Sequence, residues 1–119
     1  MAEPTITQIF GTGATRLDNG AAAPSSGLFI PDSVLVATGL TTPNTATAEG
    51  HLVSILIKAK EYLSQTNFNS NVDQSIYIAN GFTSFQTRGT NNDNYRIDQP
   101  FVINLARLDD GTVIDPDNY

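Results

Sequence analysis

His51 and a set of aspartates are the residues of this chain whose chemistry could go beyond packing. Histidine is the side-chain type whose charge changes near neutrality, so a lone His51 is the natural candidate for acid–base work. A Ser-His-Asp site would need a serine held in a strained turn beside an oxyanion hole. No Gly-x-Ser-x-Gly run occurs, and His51 reads as a surface or interface residue of a helix. The run Gly11-Thr12-Gly13 before Arg16 has the outline of a phosphate-cradling loop. Such a loop follows a strand and opens a helix, so that backbone amides meet the phosphate. Here Asp18-Asn19-Gly20 follows, which reads as a turn. Asp109, Asp110, Asp115 and Asp117 offer the oxygen ligands that calcium prefers, but without a spaced loop closed by Glu. A turn and a solvated tail account for them. The chain has no Cys, so it has no thiolate metal site or cysteine nucleophile. The expectation is a protein that is not an enzyme, with no catalytic residues, no cofactor and no metal.

These residues sit in an uneven frame. Residues 1–27 are dominated by small and turn-forming types, including Gly11, Gly13, Ala21 to Ala23 and Pro24. Too little apolar surface is present to offset an ordering cost of about 1–2 kcal/mol per residue. They read as an extended N-terminal arm, with a short strand over residues 4–10 in which Ile6 and Phe10 are apolar. Residues 28–119 then form a single domain. Residues 28–40 suggest one or two short strands split by Pro31, which cannot donate a ladder hydrogen bond.

Residues 45–66 give the strongest helix signal, with Asn44 or Thr45 as N-cap. A polar stripe runs through His51, Ser54, Lys58, Glu61 and Gln65. Leu52, Val53, Ile55, Leu56, Ile57, Ala59 and Leu63 fill most of the remaining circumference, which implies burial on most sides. Residues 75–108 read as antiparallel sheet. Asn80-Gly81 favours a two-residue hairpin, pairing Ile78 with Thr83 and placing Ile76, Ile78 and Phe85 in the core. Tyr77 and Phe82 fall on the opposite face, as core or as an interface. Asp110-Gly111 marks a second hairpin. The whole is an α+β fold: one main helix packed on a small antiparallel β-sheet, with the extended arm.

Composition narrows the partners. The chain has 119 residues and a net charge of −6, and only 15% of its residues are charged, against about 25% in an average protein. Thr, Asn, Ser and Gln fill roughly a third of it. An acidic chain without a basic cluster is unsuited to a run of phosphates, so no nucleic-acid partner is expected. No apolar run is long enough to span a membrane. The N-terminus has no basic start followed by an apolar run, so no secretory signal is expected.

The run from Pro4 to Ala14, the Asn- and Thr-rich loop before Arg96 to Gln99, and the terminal run Asp115 to Tyr119 resemble small structural proteins of tailed phages, particularly those infecting cyanobacteria. The resemblance implies a virion component: a capsid cement or decoration protein, or a neck, tail or baseplate piece. It implies the major capsid protein or other virion subunits as partners, a homo-oligomeric arrangement in the assembly, and location in the virion. A soluble monomeric binding module is the reading from another class. Ile6, Phe10, Leu28, Phe29, Tyr77 and Phe82 are the candidate interface residues.

Overall fold

The computed structural model describes residues 3–17, 25–107 and 114–119. The fold is α+β, with one main helix and small antiparallel sheets. Its first element is a helix, α1 (Ile6–Phe10), and not the expected strand. Thr5 and Gln8 cause this. The Thr5 hydroxyl accepts from the Gln8 N–H at 3.2 Å, and the Thr5 N–H donates to Gln8 Oε1 at 2.8 Å. That reciprocal cap satisfies two donors which a helix start leaves open. Ile6, Ile9 and Phe10 then share one face at helical spacing, and Ile9 packs against the core. The described part of the N-terminal segment is therefore not extended throughout: α1 lies on the main helix and Ala14 is buried. Gly11 ends α1 at φ +105, where a β-carbon would meet the Val34 side chain at 2.6 Å. Only glycine suits both constraints.

Strands β1 (Thr15–Leu17) and β2 (Gly27–Phe29) pair antiparallel, Arg16 opposite Leu28. This pairing ties residues on either side of the expected boundary at 27 into one small ribbon. Asn19-Gly20 lies outside the described residues. After Pro31 comes helix α2 (Asp32–Ala37), where a second strand was expected. Pro31 is tolerated at a helix entry because no intrahelical N–H is needed there. Asp32 adds negative charge to the first turn, where the dipole favours it. Val34 and Leu35 are buried.

The main helix, α3 (Ala48–Tyr62), starts later than expected, after a single 3-10 turn over Pro43–Thr45. Its cap is Thr47, whose hydroxyl accepts from the Gly50 N–H at 3.0 Å. The expected polar stripe is not a solvated face. Ser54 is 2% exposed, bonded to the Thr38 hydroxyl and to the Leu35 carbonyl at 3.4 Å, while Leu52 is 57% exposed and Val53 is exposed as well. Small Ser54 lets α2 approach α3 closely, and so the larger apolar residues turn outward. Lys58 and Glu61 pair at 2.9 Å as their spacing suggests.

A short helix α4 (Gln65–Ser70), capped by Ser64, leads to β3 (Ile76–Ala79). The expected Asn80-Gly81 hairpin does not form. β3 pairs with β6 (Val102–Leu105), Ile78 opposite Ile103, and β4 (Ser84–Arg88) pairs with β5 (Asp93–Ile97) in a separate ribbon. A type I′ turn needs positive φ at both central residues, and neither Asn80 nor Gly81 has it. The Gly81 N–H donates instead to the Gln99 carbonyl at 2.6 Å, and the Phe82 N–H to Gln99 Oε1 at 3.1 Å. Lys60 bonds Asn80 Oδ1 and the Pro100 carbonyl, fixing this crossing against α3. The turn between β4 and β5 falls over residues 89–92, with positive φ at Gly89 and Asn92. Asp110-Gly111 lies outside the described residues.

The core is thin. Ala59, Leu63 and Ile78 form its buried centre, with Ile9, Tyr62, Ile76 and Phe101 packed around them. Phe85, placed in the core from the sequence, is 65% exposed, because β4 belongs to the outer ribbon and not beside β3.

Candidate assembly interface

The residues singled out for chemistry do not converge. His51 Nδ1 meets the Thr47 carbonyl at 2.8 Å, one turn back on its own helix. A carbonyl can only accept, so Nδ1 carries the proton in that contact. Gly11 follows a helix and Gly13 precedes a strand, the reverse of the order in a phosphate loop. Asp115 caps the 3-10 turn Pro116–Asn118 by accepting from the Asp117 N–H at 3.0 Å. Asp109 and Asp110 lie outside the described residues. Among the described residues no cluster of His, Asp and Glu is disposed to hold a metal ion, and no helix is long and apolar enough to cross a membrane.

What the structure presents instead is uncovered apolar surface, in several places. On α3, Val53 and Ile57 form one side of a groove of about 450 Å³ closed by Pro100 and Phe101. The Lys60 amine lies 5.8 Å from the Phe101 ring centre at its rim. On the outer ribbon every residue from Ser84 to Arg96 is exposed. Gln86, Arg88, Tyr95 and Ile97 fall on one face, Phe85, Thr87 and Arg96 on the other. Neither face is continuously apolar, and among the described residues no other element packs extensively on the ribbon. It is held by its own contacts, with the Arg88 guanidinium 5.1 Å from the Tyr95 ring and an Arg96–Asp98 pair at 2.7 Å. An isolated two-stranded ribbon is marginal in water. The third place is β6, where Val102, Ile103 and Leu105 are all exposed.

The candidate interface residues lie on separate elements. Ile6 and Phe10 are half-buried on α1, and Leu28 and Phe29 are exposed on β2. Tyr77 is half-buried, its ring 4.9 Å from that of Phe68 on α4, so α4 covers part of the sheet face left open in the sequence reading. Phe82 is 86% exposed. The sequence reading missed Leu52, Val53, Phe85, Tyr95, Ile103 and Leu105. The broad apolar circumference of α3 signalled more apolar surface than the described elements cover, but not which of its residues turn outward.

One buried polar group stands out. Gln74 is 2% exposed, and its Nε2 donates to the Ile76 carbonyl at 2.8 Å and the Ser64 carbonyl at 3.3 Å. Among the described residues its Oε1 has no partner. Gln74 lines a cavity of about 650 Å³ with Phe68, Val72 and Ala106.

No protein-family model, curated protein or solved structure matches the chain.

Proposed function

We propose that this chain is a non-enzymatic structural subunit of a virion, most specifically a capsid cement protein seated on the major capsid protein. The observation that carries the assembly part is the mismatch between a thin core and apolar side chains left exposed on α3, on the outer ribbon and on β6. Surface of that kind is completed by neighbours. The outer ribbon is the element left to reach a neighbour, since α1 is docked on the main helix of its own chain. The virion context rests on the sequence resemblance. Few charges suit the role, because neutral polar groups enter an interface without the desolvation cost of ions.

The test is to purify the particles, quantify the chain against the major capsid protein by mass spectrometry, and image them. The reading expects many copies at icosahedral positions, with the ribbon against another chain. Copies confined to rings of six or twelve would move the protein to the neck or tail. Absence from purified particles would sink the virion reading.

A further inference from the structure

Among the described residues nothing pairs with the outer edge of β6, and its geometry says which residues it offers. The Ala106 N–H donates to the Ser75 carbonyl at 2.6 Å, which sets the alternation of the β3–β6 ladder. In that alternation Ile103 and Leu105 are the residues whose N–H and C=O point away from β3. A second observation agrees. Ile78, opposite Ile103, donates away from β6, to the Leu63 carbonyl at 2.8 Å. One side of the β3–β6 pair is thus closed by the chain leading out of α3, and on the other, where Ile114 and Tyr119 share a cavity with Ile103 and Leu105, no described residue bonds to β6.

Natural edge strands are blunted by charge, by proline or by a bulge. From Val102 to Leu105 there is none of these. The outer ribbon, by contrast, carries Arg88, Asp93 and Arg96 along its strands. The chain's net charge of −6 makes copies repel, and an uncharged edge is where they meet at least electrostatic cost.

The edge is also complementary to itself. Set antiparallel to a second β6 with the two-fold axis at Asn104, Ile103 of one copy faces Leu105 of the other. Both are the outward-bonding type, so about four backbone hydrogen bonds form. Ile103 and Leu105 share the face of β6 that continues the core side of the sheet, beside Ile76 and Ile78. Pairing puts apolar side chains next to apolar ones there, and the two Asn104 side chains meet on the other face at the axis.

We propose that β6 is a homodimerisation edge, through which two copies of this chain build one continuous four-stranded sheet in the order β3, β6, β6, β3. The proposal deepens the reading of the chain as an assembly subunit and rests on it, by naming one partner as a second copy of the chain itself.

The chain has no cysteine, which makes the test clean. Directly opposed residues of the non-hydrogen-bonded type lie about 4.5 Å apart at Cα, within the roughly 4.4–6.8 Å that a disulfide spans. Under mild oxidation the Asn104→Cys variant is expected to run mostly as a disulfide-linked dimer, and Thr87→Cys on the outer ribbon is not. In sedimentation the unmodified chain is expected to dimerise. Ile103→Pro, which removes an outward N–H and leaves the β3-facing bonds, is expected to weaken the dimer at least tenfold. A chain that stays monomeric at its highest soluble concentration, with no more cross-linking at position 104 than at 87, overturns the proposal. So does a dimer unaffected by both changes at β6. If Ile103→Pro does not fold, the cross-linking pair decides alone. Copies found on particles but never cross-linked through position 104 sink the edge and spare the virion reading. A β6-linked dimer absent from particles does the opposite.

Discussion

Gln74 shows how one side chain joins three pieces of this fold. Its amide nitrogen is shared between the Ser64 carbonyl at the start of α4 and the Ile76 carbonyl on β3, and almost none of it meets solvent. Both amide hydrogens are used, which fixes the orientation of the group and leaves Oε1 without a donor among the described residues. A buried polar atom left so costs about 1–3 kcal/mol, yet the two bonds beside it hold α4 to the sheet. Gln74→Glu keeps the shape and removes both donors, setting a carboxylate against two carbonyl oxygens. The variant is expected to be destabilised by at least about 3 kcal/mol at pH 7. Burial raises the folded-state pKa of that carboxyl above its unfolded value of about 4.3. Its penalty is therefore small below that value and grows as pH climbs toward the raised one. Urea melts at pH 4 and pH 7 check this. A loss of stability equal at both would show that the carboxylate is not held in the buried place of Gln74.

At the scale of elements, the outer ribbon and α3 have opposite problems. The ribbon has hydrogen bonds and no core, while α3 has apolar surface and too few neighbours. For β4 and β5 the consequence is kinetic. Their amides are expected to exchange with solvent through local opening, at rates orders of magnitude above those of Ile78 and Leu63. The proposed seat on a capsid predicts that in particles the protection of the ribbon rises toward that of β3. Hydrogen–deuterium exchange on the free chain and on particles measures both, and equal protection of ribbon and β3 in the free chain would contradict this picture.

How much of these elements could be read from sequence follows from where their cause lies. The existence of α3 was legible, because its cause is local periodicity. The partner of β3 was not. Asn80-Gly81 has the right residues for a tight turn, but Gln99 and Lys60, distant in sequence, capture its backbone and side chain. The α1 helix was legible in principle from Thr5 and Gln8 at capping-box spacing, and Ile6, Ile9 and Phe10 fit a helix better than a strand. Of the candidate interface residues, Phe82, Leu28 and Phe29 are exposed, whereas Ile6, Phe10 and Tyr77 are half-covered by the chain itself. The outward turn of Leu52 and Val53 was not legible. It depends on Ser54 bonding to Leu35 and Thr38, a contact made only once α2 and α3 meet.

At the scale of the whole molecule the accessible surface is large. Its accessible area is 8548 Å², where a compact monomer of this mass exposes about 6,300 Å². Its radius of gyration is 17.2 Å, where about 13–14 Å is usual for the length. The difference in area, roughly 2,000 Å², exceeds the about 800 Å² that one partner contributes to a standard interface. The proposed subunit, with a self-pairing edge and a separate ribbon, would use surface of that extent for more than one neighbour. Calorimetry reads the same quantity from the other side. The heat-capacity change of unfolding scales with the apolar area newly exposed, and a compact domain of this length gives about 1.4–1.8 kcal/mol/K. The free chain already exposes much of that area, so its value is expected to fall clearly below that range when measured at dilutions where it is monomeric. The melting temperature should rise with concentration as subunits associate, because binding that selects the folded chain stabilises it by mass action. A full-sized heat-capacity change in a monomer whose melting temperature ignores concentration would mean that the chain closes its apolar surface by itself.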